Sequence, residues 1–186
     1  MIDAALSHIA SQLNQFLKRS YDSAEDMAVM SNILEQDGTL AAGANNKLVV
    51  MLVNVTKETT PVRPPQFSSA DKTVNAPPPL FMNLYVMVAA NFGNYAESLK
   101  FLSNAVSFFQ RQPVFDRQST PDLDKRIDKL VLDIENLNTQ DLSSLWGILS
   151  GKYLPSVLYR VRMVCFDTND ILNLDSPITG SRISVK

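Results

Sequence analysis

Residues 47–55, KLVVMLVNV, are rich in β-branched side chains and almost continuously apolar. No other stretch limits the fold as strongly. A strand with one wet face alternates apolar and polar residues, so a run without alternation must be covered on both faces. The chain therefore has to build a sheet with packing layers above and below at least one central strand. Residues 80–90, LFMNLYVMVAA, supply a second such strand. Leu80, Met82, Leu84, Val86 and Val88 share one face, and Phe81, Asn83, Tyr85 and Met87 the other.

The layers are legible as helical periodicity. Ile2, Leu6, Ile9, Leu13, Phe16 and Leu17 recur every three or four residues and form one apolar stripe, with His8 off it. Tyr95, Leu99, Leu102, Val106 and Phe109 predict a second helix that stops before Pro113. A third, short helix follows Asn138 or Thr139 as cap, with Asp141 in its first turn and Leu142, Leu145, Trp146 and Leu149 at helical spacing. Further strands are expected at 129–135, where Leu130, Leu132 and Ile134 point one way, and after Pro155. In the latter, Val157, Tyr159, Val161, Met163 and Cys165 share a face opposite Arg160 and Arg162. Residues 27–34, MAVMSNIL, fit either helix or strand, and EQDGTLAAGANN after them is rich in turn formers.

Helix, strands, helix, strand, short helix, strand is an α+β order: a mixed, mostly antiparallel β-sheet flanked by helices. With 186 residues, 45% apolar, the chain removes roughly 70% of its unfolded surface from water. A single domain over 1–186 is expected. Residues 57–79 hold six of the ten prolines and predict a long exposed loop. The tail from about 167 to 186 is polar apart from ILNL and is expected to be loosely attached.

Several function classes fall away. The net charge is −2 and the 17 Lys and Arg are spread along the chain, without the basic stripe of a nucleic-acid binder. The longest apolar run, LVVMLV, is too short to span a bilayer, and the amphipathic N-terminus lacks the apolar core of a signal peptide. A soluble, cytoplasmically made protein is expected. Cys165, the one cysteine, reads as a small buried apolar residue, and the Asn54–Thr56 sequon falls inside a strand.

Gly147, Gly151 and Lys152 invite a phosphate-loop reading, which the residues refuse. The glycines are separated by three residues instead of four, and Tyr153 stands where a Ser or Thr is needed to hold magnesium. A helix precedes and a strand follows, the reverse of the order such a loop requires. Gly151 suits a helix C-terminus instead. With His8 the one histidine, neither a catalytic triad nor a zinc site can be assembled. Asp122, Asp124, Asp128, Asp133 and Glu135 are interleaved with Lys125, Arg126 and Lys129, as on a solvated face. No enzyme activity and no cofactor are expected, and contact surfaces become the candidates. Arg160 and Arg162 can pair with Asp133 and Glu135 across the sheet or meet an acidic partner. Arg63, Phe67 and Lys72 in the proline-rich loop, with Asp170 and Arg182 in the tail, are the other candidate contact residues.

As a set, these segments are familiar. NNKLVVMLVNVTKE, a Pro-rich loop, PPPLFMNLYVMVAANFGNYAESLKFLSNAVSFFQRQPVF and LVLDIENLNTQDLSSLWGILSGKYLPSVLYRVRMV together resemble the cap, or tube-terminator, family of phage-tail-like contractile injection systems. The order and spacing of these segments over residues 2–166 carry the likeness. It implies a phage tail-terminator-like fold and a non-enzymatic subunit in a homo-hexameric ring. That ring would end inner-tube growth and secure the last sheath layer. The implied partners are itself, the tube protein and the sheath protein, with assembly in the cytoplasm and a final place in the particle. Trp146 and Tyr159 are expected to hold the short helix on the sheet. Two rival readings are a monomeric adaptor for a single partner and an enzyme with a scattered site.

Overall fold

The computed structural model describes residues 1–35, 37–58, 80–149 and 152–165. Most of the proline-rich loop, Gly151 and the tail beyond Cys165 lie outside these described residues.

One six-stranded sheet organises the chain. Its strands are β1 (Ala28–Met30), β2 (Lys47–Lys57), β3 (Leu80–Asn91), β4 (Val114–Asp116), β5 (Ile127–Ile134) and β6 (Ser156–Cys165). They lie side by side in the order β1-β2-β3-β6-β5-β4. Only the short edge strand β1 runs parallel to its neighbour, β2; the other pairings are antiparallel. The ambiguous segment at 27–34 thus contributes this edge strand. Helix α1 (Ile2–Tyr21) and helix α2 (Tyr95–Arg111) cover one face, and α3 (Thr139–Ile148) lies on the other.

The unalternating run behaves as its composition requires. Leu48, Val49 and Val50 are fully buried and Met51 nearly so. Leu48 and Val50 join the core under α1 and α2, whereas Val49 and Met51 join the core under α3. β3 repeats the arrangement with Val86 and Val88 on one side and Met87 and Ala89 on the other. A bulge between Leu52 and Asn54 marks where β2 leaves the doubly covered zone.

Helix α1 places Leu6, Ile9, Leu13 and Leu17 in the core as its stripe predicts. Asn14 fastens it to the sheet edge, its Oδ1 accepting from the amides of Met27 (2.8 Å) and Ala28 (3.2 Å) at the entry to β1. His8 is not on a wet face as the stripe implies. It is 7% exposed and packs edge-on to Phe115 at 5.6 Å, with Nδ1 3.9 Å from an Asp122 carboxylate oxygen. The imidazole is flat enough to sit in an aromatic core, which hydropathy alone does not convey.

α2 is rotated relative to its predicted stripe. Ser98, Ala105, Phe108 and Phe109 are its buried residues, and Tyr95 is 67% exposed. The small side chains of Ser98 and Ala105 let the helix approach the sheet closely. Its aromatic side turns toward α1, where Phe108 stacks on Phe16 (5.0 Å) and Phe101 meets Tyr21 (4.9 Å). The helix ends at Arg111, before Pro113 as expected.

α3 is capped by Asn138, whose side chain accepts from the Asp141 amide at 2.9 Å. Trp146 is its one buried residue, set among Val49, Met51, Met87, Ala89 and Leu158. Tyr159 does not help to hold this helix. It points to the opposite face and packs on Phe109 of α2 at 5.1 Å, while Leu158 meets the α3 side. Burial pushes the Tyr159 hydroxyl up to about 12.

Trp146→Ala should cost about 3–5 kcal/mol in urea unfolding, because it empties the centre of the α3 layer; a loss below about 1 kcal/mol would contradict that packing. His8 gives a pH prediction. Burial lowers its pKa, and the nearby Asp122 charge only partly opposes this. The unfolded chain therefore takes up the proton first as pH falls below the ordinary value of 6.5, so stability drops through that window. His8→Leu should flatten stability between about pH 7 and pH 5 relative to the parent, measured by urea unfolding at each pH.

Candidate functional site

The second face of the sheet is only partly covered. α3, with Ile33, Ala41 and Ala44, roofs the β2 and β3 end, and the surface beyond them across β6 and β5 carries charge. Arg160 sits opposite Tyr85 and Asp133, and Arg162 opposite Asn83 and Val131. Each arginine leans diagonally to a carboxylate two residues along. Arg162 Nη2 donates to Asp133 Oδ2 at 2.7 Å, and Arg160 Nε lies 3.7 Å from Glu135 Oε2. The cross-sheet pairing expected of these four residues is therefore present. It is incomplete, since Arg160 Nε is buried and reaches no acceptor at hydrogen-bond distance. Beside it, Asn83 is 8% exposed and its Oδ1 finds no donor.

Where this charged area meets α3 there is an open groove of about 310 Å³. Val53, Tyr85 and Leu158 form its sheet side, and Leu145 and Ile148 its helix side. Glu135 and Asp141 also border it, but both carboxylates are engaged, Glu135 with Arg160 and Asp141 with Asn138 Nδ2 at 2.7 Å. Ile148 is 79% exposed, the highest value among the large apolar side chains of the described residues. The short helix is apolar on more sides than the sheet can bury.

Other exposed apolar groups stand apart from this groove. Tyr95 and Leu99 face solvent on α2, across the sheet, and Tyr153 lies beside α3 with its ring edge-on to Trp146 at 5.8 Å. Sequence periodicity assigned Tyr95 and Leu99 to the core. Their exposure could have been suspected from the second aromatic set, Phe101 and Phe108, on the same helix.

Of the candidate contact residues, Arg160 and Arg162 are brought together on the uncovered face. Arg63, Phe67 and Lys72, like Asp170 and Arg182, lie outside the described residues. Asp124 and Arg126 form a separate surface pair at 2.7 Å, and hydrogen bonds from Arg126 hold the Asp124 carboxyl well below the usual carboxylate range. Gly147 lies within α3 and β6 follows that helix, so the helix-then-strand order that argued against a phosphate loop is the observed one. Among the described residues no cluster of His, Cys, Asp and Glu has the arrangement of a metal site, and no helix is long and apolar enough to cross a membrane.

A family model described as the Pvc16 N-terminal domain matches residues 4–179 of the chain. The chain belongs to this family. Among solved structures, this chain resembles the PVC sheath/tube terminator of an extracellular contractile injection system in its extended state. The TM-score is 0.55 at 13% identity, covering 95% of this chain and 62% of that one. It also resembles the tube-terminating cap of the anti-feeding prophage, with a TM-score of 0.53 at 11% identity, over 94% of this chain and 59% of the other. At such identities the likeness is one of fold. The chain spans about three-fifths of the length of these structures. No curated protein sequence matches it significantly.

The arginine ladder is half exposed, so it should add little to stability. Arg162→Ala is expected to change the unfolding free energy by about 0.2–1 kcal/mol, less in high salt. A loss above about 2 kcal/mol in chemical denaturation would instead make the ladder part of the folded core.

Proposed function

We propose that this chain is a cap subunit of a contractile, phage-tail-like injection system. In this reading it forms a homo-hexameric ring on the last layer of the inner tube, stops tube growth and secures the last sheath layer. The observation that carries the proposal is the common role of two solved structures that share its fold, a sheath/tube terminator and a tube-terminating cap. Membership of the Pvc16 N-terminal domain family supports the same reading.

The surface suits such a role. A closed ring of identical subunits uses two different patches on each copy, one meeting the other on its neighbour. Exposed apolar residues occur on both sides of the sheet, Tyr95 and Leu99 on α2 and Tyr153 beside α3. The rigid, doubly packed strands between them would hold these patches in fixed relation. Tube and sheath contacts would then come from Arg160 and Arg162, from Arg63, Phe67 and Lys72, and from Asp170 and Arg182. The role calls for no cofactor, no nucleic acid, no membrane insertion and no catalysis. Residues 1–186 would act as one domain, assembled in the cytoplasm and carried into the particle.

Epitope-tagging the chain in its producing strain tests this. Gold-labelled antibody should mark one end of each purified particle, with sixfold density at that end in electron microscopy. Label spread along the sheath, or particles without label, would contradict the proposal and favour an adaptor.

A further inference from the structure

The sheet face beyond α3 carries two buried polar atoms with opposite needs. Cross-strand pairing sets Asn83 beside Arg162 and Tyr85 beside Arg160, so these four side chains share that face. Asn83 is 8% exposed, yet its Oδ1 finds no donor, and the buried Arg160 Nε finds no acceptor. Leaving such atoms unpaired is unfavourable. A ligand that offers both an N–H and an oxygen at this place would satisfy them together.

The guanidinium groups add a charge requirement. The hydrogen bond they make among the described residues is from Arg162 Nη2 to Asp133 Oδ2, so most of their N–H donors are unengaged. Both arginine side chains are half exposed and open to an incoming acceptor. Their carboxylate partners, Asp133 and Glu135, lie on the β5 side of β6, whereas Tyr85 and Asn83 lie on its β3 side. A second carboxylate can therefore approach over Tyr85 without meeting the first two head-on. Two residues back along β6 from Arg160, Leu158 belongs to the apolar groove beside α3, which Tyr85 also lines. Ile148, on the opposite wall, is the most exposed large apolar side chain of the described residues.

These demands together select a ligand class. An inorganic anion would engage the arginines but would bring no donor to Asn83 and nothing apolar to the groove. A peptide brings all of them: main-chain N–H and C=O groups, a carboxylate and an apolar side chain. We propose that this face binds an extended acidic peptide segment of a partner protein. An Asp or Glu of the segment meets Arg160 and Arg162, its main chain serves Asn83 Oδ1, and a large apolar side chain fills the groove between α3 and β6. Side chains of an extended segment alternate, so those facing the sheet are an even number of residues apart. The acidic and apolar residues of the segment therefore stand two or four positions apart, as Leu158, Arg160 and Arg162 do along β6. The inference rests on reading these arginines as contact residues and does not require a ring.

The test is to sort a random linear peptide library, displayed on yeast, against the purified full chain. Enriched peptides should carry Asp or Glu at an even spacing from a large apolar residue. Synthetic copies should bind Arg160→Glu about tenfold more weakly than the parent, and replacing the peptide's acidic residue with lysine should restore binding to that variant. Ile148→Lys should weaken binding several-fold, whereas Tyr95→Lys, across the sheet on α2, should leave it unchanged. All three positions are partly or largely exposed, and an unchanged urea midpoint confirms that each variant is folded. No enrichment over a target-free sort would overturn the proposal. So would enriched peptides without an acidic residue or with it at odd spacing, failure of the lysine exchange, or an equal loss with Tyr95→Lys. Labelling along the sheath would defeat the cap reading while leaving peptide binding intact, and failure of the sort would leave the end-labelling result intact.

Discussion

The double burial of β2 and β3 is the constraint on which the remaining architecture depends. With Val49 and Val50 both withdrawn from water on opposite sides of one strand, two separate packing layers are obligatory. One layer is large and aromatic, built from α1 and α2 with Phe16, Phe108, Phe109 and Phe115. The other is small and rests on Trp146 with a few aliphatic neighbours. Pairing of the central strands with β6 carries this demand across the sheet until the second layer runs out. Beyond that point Arg160, Arg162, Asp133 and Glu135 replace apolar residues, as expected where water reaches the backbone ladder.

This imbalance creates the surface from which function is read. A full second layer would have hidden the Arg160 side of β6 and left α3 no groove. The short α3 instead leaves an apolar trough, a charged ladder and two buried polar atoms in continuity. Such a face is suited to contact with a neighbour, and the α2 side adds a second exposed apolar patch. A subunit that fits between partners needs a stiff centre and unfinished faces, and both follow from where the second core ends.

Much of this was legible from residues. The continuous run at 47–55 announced a doubly covered strand, the parity of Leu130 and Leu132 placed β5 correctly, and Asn138 marked the start of α3. The arginine and carboxylate pairs followed from strand parity alone. Other features were hidden for identifiable reasons. His8 reads as polar, yet its ring packs against Phe115 like an aromatic. α2 is apolar on two sides, so periodicity could not decide which side faced the sheet; small Ser98 and Ala105, and the ring stacking with α1, decided it. Tyr159 was linked to the wrong helix because its face was read correctly but the face that α3 would cover was not. The groove at Ile148 escaped notice since a short apolar helix normally reads as core.

Particle length in the producing strain tests the central claim most directly. Electron microscopy would compare particles made with the gene, without it, and with it restored. The account predicts overlong or ragged tubes with unsecured sheaths in the deletion, and uniform lengths again on restoration. Unchanged lengths with intact, contractile sheaths in the deletion would contradict it.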